Sequence, residues 1–555
     1  MTTTLDNNAY NLQRQSANFD PSVWGNFFIT YACDDMKERA NVWHEEAKVL
    51  KVKIQKMLIG DILIEHVEQK VSIIDAIERL GIAHHFETQI QEKLHQIFKL
   101  VNDDKNYYEN HQLTTLALLF RLLRQHGYYV STDIFNKFKD NKDEFKEDLL
   151  EDREGMLCLY EATHLKLQGE IILEKAFDFT KSALESRVPQ LKPSLGAHVS
   201  HTLRWPIQKC LPRLGAKEYI TFYEDVEFHN EVLLKFAKLD FNLLQMQHLK
   251  ELSIISKWWK DIDVQKKLPY ARDRITECYF WIVGVYYEPQ YALARTFAAK
   301  VIALTSVLDD TYDAFGTYDE LVLLTNAFER WDISAMDELP EYMKVIYEAM
   351  LETYNEMEEE LVKQGRSYAI SYAKDAMKRQ VKAYLDEAKW LVTKKVPSIE
   401  EYMTVATAST GYPLMAVVSL VGMQQVVTKD PFLWLKSEPD VLQSVYRLCR
   451  VMDDVVSHQL ERQREHIPSA VECYMKQHKV TANEACEKLN KEVENAWNNI
   501  NQMFIDPKST SKDVLMRILN LTRVMELLYS GQDFYTHPLK MKPLVASLLL
   551  HPFQI

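Results

Sequence analysis

Apolar residues recur at intervals of three and four along most of this 555-residue chain, the spacing of one helical face rather than the alternation of a strand. The first twenty residues are polar and irregular, and "DPSVW" (20–24) marks the start of folded chain. From about residue 40 to 230, helical patterns alternate with short loops such as "DDKNYYENHQ" (103–112) and "QLKPSLGA" (190–197). Beyond about 230 the predicted helices become longer and more apolar. No Pro/Gly/Ser linker marks the change, so the pattern predicts two tightly packed helical domains, 20–229 and 230–555, after a flexible strand at 1–19. The acidic stretch "KDNKDEFKEDLLEDREG" (139–155) reads as a solvated helix end and loop. No solenoid repeat and no low-complexity segment is visible.

Composition supports an all-α fold. The chain holds only 14 glycines, with 47% hydrophobic and 26% charged residues, which is an ordinary globular balance apart from the glycine. A formal charge of -14 without any basic stripe argues against nucleic-acid binding. The seven cysteines (33, 158, 210, 278, 449, 473, 486) are scattered, odd in number and free of CxxC spacing, which reads as reduced thiols. No uninterrupted apolar run approaches the roughly 18 residues of a membrane span. The longest, "PLMAVVSLVGM" (413–423), reads as a buried helix segment, so no membrane partner is expected. The N-terminus shows neither a signal-peptide core nor an Arg/Ser-rich transit pattern, so a cytoplasmic location is expected.

Charge changes the picture in two places. "ALTSVLDDTYDAF" (303–315) ends an apolar helix that Pro289 suits to begin and Gly316 to stop, with Phe297, Val301, Leu304 and Leu308 on its apolar face. At about 100° per residue, Asp309 and Asp313 lie within about 40° of each other, while Asp310 points roughly a quarter turn away. The last turn is already negative through the helix dipole. Aspartates there are either solvated or joined by a cation, and oxygen ligands one turn apart suit Mg²⁺. "CRVMDDVVSHQLERQRE" (449–465) reads as another helix, with Leu442, Val445, Leu448, Met452, Val456 and Leu460 on its apolar side. Asp453, Ser457 and Glu461 follow at i, i+4 and i+8 as one polar stripe, again offering only oxygen. Either set alone could be a solvated face; the two together favour a metal site. Arg272 and Arg274, in "LPYARDRITECYFW" (268–281), and Arg450, three residues before Asp453, supply the guanidinium groups that a diphosphate needs beside its metal ions.

With these residues the chain resembles the plant class I terpene synthases, of the sesquiterpene kind. The likeness runs through "DPSVWGNFFI", "RLGIAHHFE" (79–87), "RLLRQHGYYVSTDIF" (121–135), "LYEATHL" (159–165), "FAKLDFNLLQ" (236–245), "LPYARDRITECYFW", "LDDTYDAFGTYDEL" and "VECYMKQH" (471–478). It implies an N-terminal α-barrel-like domain without catalysis and a C-terminal class I helical bundle. It makes Asp309, Asp310 and Asp313 the aspartate-rich motif and Asp453, Ser457 and Glu461 the second metal motif. Three Mg²⁺ ions, with Mn²⁺ as a possible substitute, are implied between them. Arg272, Arg274 and Arg450 fall on the diphosphate side, with Arg272, Arg450, Asp309 and Asp313 engaging the substrate and Arg272 and Arg274 among the catalytic residues. Trp281 matches the aromatic wall of the cavity, and Tyr529, Asp533 and Tyr535 match residues of lid closure and proton handling. The interval Tyr529–Asp533 is one residue shorter than the family pattern, which bears most on Tyr529. "TASTGYP" (407–413) matches a helix break whose carbonyls point into the cavity.

The implied activity is Mg²⁺-dependent ionisation of farnesyl diphosphate, followed by carbocation cyclisation, by a monomeric lyase. No Asp-x-Asp-Asp stands in the chain, which argues against protonation-initiated cyclisation, and the Ser/Glu form of the second motif argues against a prenyl-elongating synthase. The family often carries tandem arginines eight residues before a tryptophan; here Arg14 is followed by Gln15, eight residues and Trp24. That change favours farnesyl over geranyl diphosphate, and gives Arg14 a part in capping the closed site. Two alternatives stay open at this level: a monoterpene synthase acting on geranyl diphosphate, and a catalytically inactive binding protein of the same fold.

Overall fold

The computed structural model describes residues 19–30, 34–60, 63–104, 107–461, 466–506 and 510–555; side chains at 34–38, 425 and 459–461 fall outside the description. Residues 1–18 of the expected strand at 1–19, Arg14 and Gln15 among them, and the Glu461 side chain therefore lie outside the described residues. Among the described residues the fold is all-helical, with a single isolated bridge between Lys139 and Phe145. That bridge sits inside the acidic stretch expected to be a solvated loop.

Local chemistry sets many helix starts. Thr317 with Glu320, Ser469 with Glu472, and Thr481 with Glu484 form reciprocal capping boxes that satisfy two orphan amides each. Asn230 accepts from the amides of Val232 and Leu233 to open a 32-residue helix, Glu231–Ile262. This cap stands one residue past the expected end of the first domain.

The first helices cross that division. Phe27–Thr30 and Asp34–Leu58 pack on Glu231–Ile262, and Trp24 Nε1 donates to Glu277 Oε1 at 3.0 Å. The beginning of the chain thus braces the second half. Polar contacts tie the halves elsewhere: Arg523 Nε donates to the Gln208 carbonyl at 2.9 Å, and Gln208 Nε2 to Asn501 Oδ1 at 3.0 Å.

Two stretches, Pro289–Ala314 and Ile399–Val421, are long and on average apolar enough to cross a membrane, and the most apolar 18 residues of each are 78% and 72% buried inside the molecule. They are core helices, and both carry cavity residues. The first runs from a 3-10 turn at Pro289–Tyr291 into Ala292–Ala314. The second breaks at Gly411, whose φ of +78° suits glycine, between Ile399–Ser409 and Tyr412–Val421.

Candidate active site

One cavity of about 550 Å³ receives both acidic helices. Asp309, Asp310 and Asp313 line it from Ala292–Ala314, and Asp453 and Ser457 line it from Asp440–Glu461. Arg272, Arg450, Trp281, Tyr529, Asp533 and Tyr535 complete the wall together with the helix break at Ser409–Tyr412.

The three aspartates differ as the helical angles predict. Asp310 is 1% exposed and is held by Arg272: its Oδ2 accepts from the Arg272 amide at 2.7 Å and from Nε at 3.2 Å, and its Oδ1 lies 2.9 Å from Nη2. Both oxygens are engaged by Arg272, so in this structure Asp310, expected among the metal ligands, seats that guanidinium. Arg272 also donates from Nη2 to Asp309 Oδ2 at 2.8 Å. Burial pushes the Asp310 carboxyl up to about 6 even against the Arg272 charge.

Asp313 has a different environment. Its Oδ1 is buried without a hydrogen-bond partner. Burial, then the Asp309 and Glu387 charges, hold it well above the carboxylate range despite Arg450. On the facing helix the Ser457 hydroxyl is also buried and unpaired. A buried oxygen left unpaired costs about 1–3 kcal/mol. Here the two orphans belong to the two motifs read from the sequence. Hard oxygen donors from both helices, short of partners, fit Mg²⁺.

Arg450 reaches the same space. Nη1 lies 3.5 Å from Asp453 Oδ2 and 3.3 Å from Asp454 Oδ1, while Nε donates to the Ala406 carbonyl and Nη2 to Ser409 Oγ. Arg274 does not reach it. This expected diphosphate ligand is 1% exposed and donates to the carbonyls of Asp20, Asp273, Tyr535 and Thr536. Four of its five N–H groups go to backbone carbonyls, so it fastens the segment at Asp20 to the loop at 535–536 and stands outside the cavity lining.

The aromatic wall is built around Trp281, which meets Tyr535 edge-on at 5.6 Å and Tyr412 at 6.3 Å. The Tyr535 hydroxyl donates to Ser306 Oγ at 2.6 Å, which ties the wall to the aspartate helix. Asp533 Oδ1 accepts the amides of Tyr535 and Thr536, both at 2.9 Å, and so shapes its own loop. At the helix break the expected inward carbonyls are partly committed, because Ser409 O accepts from Gln380 Nε2 at 2.7 Å.

Sequence reasoning missed Glu387 and Asp454. Glu387 lines the cavity from Tyr368–Thr393, accepts from Ser409 Oγ at 2.6 Å, and is pushed up to about 7 by burial against the pull of Arg450. Its signal was present: an acid one turn from Tyr384 on the buried stripe. Asp454 accepts from the Tyr402 hydroxyl at 2.7 Å and the Ala470 amide at 2.6 Å, so it couples helices within the wall.

Two family models cover most of the chain: "Terpene synthase, N-terminal domain" at residues 23–203 and "Terpene synthase family, metal binding domain" at residues 260–499. The chain belongs to the terpene synthase family. Its matched domains leave 204–259 between them, where the expected boundary at 229/230 falls. This terpene synthase is 48% identical to (-)-germacrene D synthase of Vitis vinifera, over 98% of this chain and 96% of that protein. It is 47% identical to Sesquiterpene synthase 2 of Toona sinensis, over 98% and 97%. Its fold superposes with TM-score 0.86 at 32% identity on isoprene synthase from grey poplar in complex with three Mg²⁺ ions and dimethylallyl-S-thiolodiphosphate, covering 92% of this chain and 98% of that one. A terpene synthase carrying the family's metal-binding domain, with the orphaned oxygens described above, is a divalent-metal enzyme acting on a small prenyl diphosphate.

Proposed function

We propose that this terpene synthase is a sesquiterpene synthase that ionises farnesyl diphosphate with Mg²⁺, three ions being the expected complement and Mn²⁺ a possible substitute. The observation that carries the chemistry is the pair of buried, unpartnered oxygens, Asp313 Oδ1 and Ser457 Oγ, on opposite motifs of one cavity. The choice of a fifteen-carbon substrate is supported by likeness to proteins named as sesquiterpene synthases.

Asp309, Asp313, Asp453 and Ser457 are the residues that would hold the metal. Divalent ions bound there supply electrostatic stabilisation of diphosphate as a leaving group. The chain's own residues do the remainder. Arg272 and Arg450 present guanidinium groups to phosphate oxygens. The carbon–oxygen bond breaks with its electron pair leaving on the diphosphate, and an allylic cation stays behind. Trp281, Tyr412 and Tyr535 offer ring faces to that cation while presenting no strong nucleophile. Arg274 and Trp24 hold the covering segment that keeps water out. Loss of a proton from carbon, or capture of a water, ends the reaction as hydrocarbon or alcohol.

The test is incubation of purified protein with farnesyl or geranyl diphosphate, with and without Mg²⁺, and gas chromatography–mass spectrometry of volatiles. A metal-dependent C15 product is expected, abolished by chelator and restored by added Mg²⁺. Turnover of geranyl diphosphate alone would make it a monoterpene synthase, and no product from either would refute the catalytic assignment.

A further inference from the structure

Away from the catalytic cavity, the two halves of the molecule meet at a cluster of metal-type donors. His84 and His85 sit in the 3-10 turn Ala83–His85, and Asp240 faces them from the long helix Glu231–Ile262. One ligand atom from each of the three lies within 4.8 Å of the others. His85 Nε2 is 2.7 Å from Asp240 Oδ1, and His84 Nε2 is 3.7 Å from the same oxygen. Those separations bracket the edge of a tetrahedron with bonds of about 2.0–2.1 Å, which is roughly 3.3 Å.

The cluster is incompletely satisfied. The His84 side chain is 4% exposed, yet neither ring nitrogen has a hydrogen-bond partner, and Asp240 Oδ2 is buried without one. An imidazole taken out of water with Nδ1 unpartnered and Nε2 only in a long 3.7 Å pairing with Asp240 is expensive unless something occupies a lone pair. We propose that His84, His85 and Asp240 form a second divalent-metal site, of the zinc type, which staples the N-terminal helical unit to the first helix of the catalytic unit.

The donor set selects the ion. Two neutral imidazoles and one carboxylate suit Zn²⁺, whereas Mg²⁺ prefers oxygen throughout. The local charge works in the same direction. Lys51 Nζ lies 3.4 Å from His85 Nδ1, and Arg213 donates to the carbonyl of Phe241, next to Asp240. These cations offset the single carboxylate, so nitrogen donation rather than net negative charge has to carry the affinity. A groove of about 790 Å³ between Asp34–Leu58 and Glu231–Ile262 is lined by His85 and Asp240. It offers a path for the ion, space for a water as fourth ligand, and room for Lys51 to swing off Nδ1, so that His85 can bind through Nε2.

The full-length protein, stripped with chelator and dialysed against excess Mg²⁺ and inorganic diphosphate to occupy the catalytic acids, is titrated with Zn²⁺. One Zn²⁺ per chain should be retained, and the melting temperature should rise by about 2 °C or more at saturating metal. His84→Gln and His84→Phe should each weaken Zn²⁺ binding at least about tenfold, comparable to the loss that follows disruption around a metal ligand. Wild-type protein loaded with Co²⁺ provides a reading that needs no variant: intense visible d–d bands of a four-coordinate nitrogen-containing site are expected. Zn²⁺ retention unchanged in both variants, no retained Zn²⁺ in the wild type, or the faint spectrum of an octahedral all-oxygen site would each overturn the proposal and leave His84 as an imidazolium paired with Asp240.

Discussion

Glu277 offers a stability test that is independent of catalysis. It lies in Ile275–Val285, is 1% exposed, and accepts the Trp24 indole N–H on Oε1 while Oε2 has no partner. Burial pushes its carboxyl from an ordinary 4.5 up to about 7, against the lowering effects of Arg274 and the Trp24 bond. The folded state therefore binds this proton more tightly than the unfolded chain. The corresponding stability is fully present below about pH 4.5 and is lost as pH rises through about 7. At about 1.4 kcal/mol per pKa unit, the gap between 4.5 and about 7 is worth about 3 kcal/mol. Glu277→Gln keeps the shape and the acceptor for Trp24 but cannot ionise. Urea titrations or thermal melts at pH 5, 6, 7 and 8 should show the variant gaining on the wild type by about 2.5 kcal/mol across the range, with most of the gain below pH 7. Because Glu277 does not line the cavity, kcat/KM at pH 7 should stay close to wild type. Parallel pH profiles for the two proteins would refute the assignment of a buried, protonated carboxyl.

Three further outcomes follow from the site. Asp309→Asn and Asp313→Asn should each lower kcat by about 100-fold or more, while Asp313→Asn should melt no lower than wild type, because it removes a buried carboxyl oxygen without a hydrogen-bond partner, crowded by the Asp309 and Glu387 carboxyls; normal turnover with Mg²⁺ would refute the metal role. Asp310→Asn should cost less, and chiefly in KM, since it acts through the seat of Arg272. Gly411→Ala should destabilise by about 1–2 kcal/mol in thermal melts, because the strain is confined to the backbone: no atom lies within 4 Å of the added Cβ. Gly411→Asn should cost less, and equal stability of all three would refute a left-handed requirement at the break.

Much of this site was legible because helical geometry is periodic. The angle between Asp309 and Asp313, and the turning aside of Asp310, follow from about 100° per residue. Gly316 was read as a helix stop, and the helix does end at Ala314. Its physical role is closer packing, since a Cβ there would stand 2.6 Å from the Leu321 side chain. What was not legible depends on contacts far apart in sequence. Arg272 and Arg274 are two residues apart with identical chemistry, yet one meets aspartates and the other meets carbonyls 250 residues away. No local pattern distinguishes them. The packing of Asp34–Leu58 on Glu231–Ile262, and the convergence of Glu387 on the cavity, are hidden for the same reason.

The charge of the cavity explains why substrate and cation have to act together. Among the described residues eight carboxyl side chains and two guanidinium groups line it. Arg272 is already held by Asp309 and Asp310, and Arg450 lies against Asp453 and Asp454. A diphosphate approaching this lining would meet acids that outnumber the arginines and arginines that are already engaged. The protein relieves part of the repulsion by keeping protons, which is the physical content of the raised Asp313 and Glu387 carboxyls. Protons neutralise those oxygens but leave them unable to attract an anion. A divalent cation held by Asp309, Asp313, Asp453 and Ser457 would do both, and would compete with Arg272 Nη2 for the Asp309 oxygen it now holds. On the proposed function, the same excess of acid that makes the bare cavity hostile to diphosphate would make its affinity for diphosphate conditional on divalent cation, and would confine ionisation to the state in which both are present.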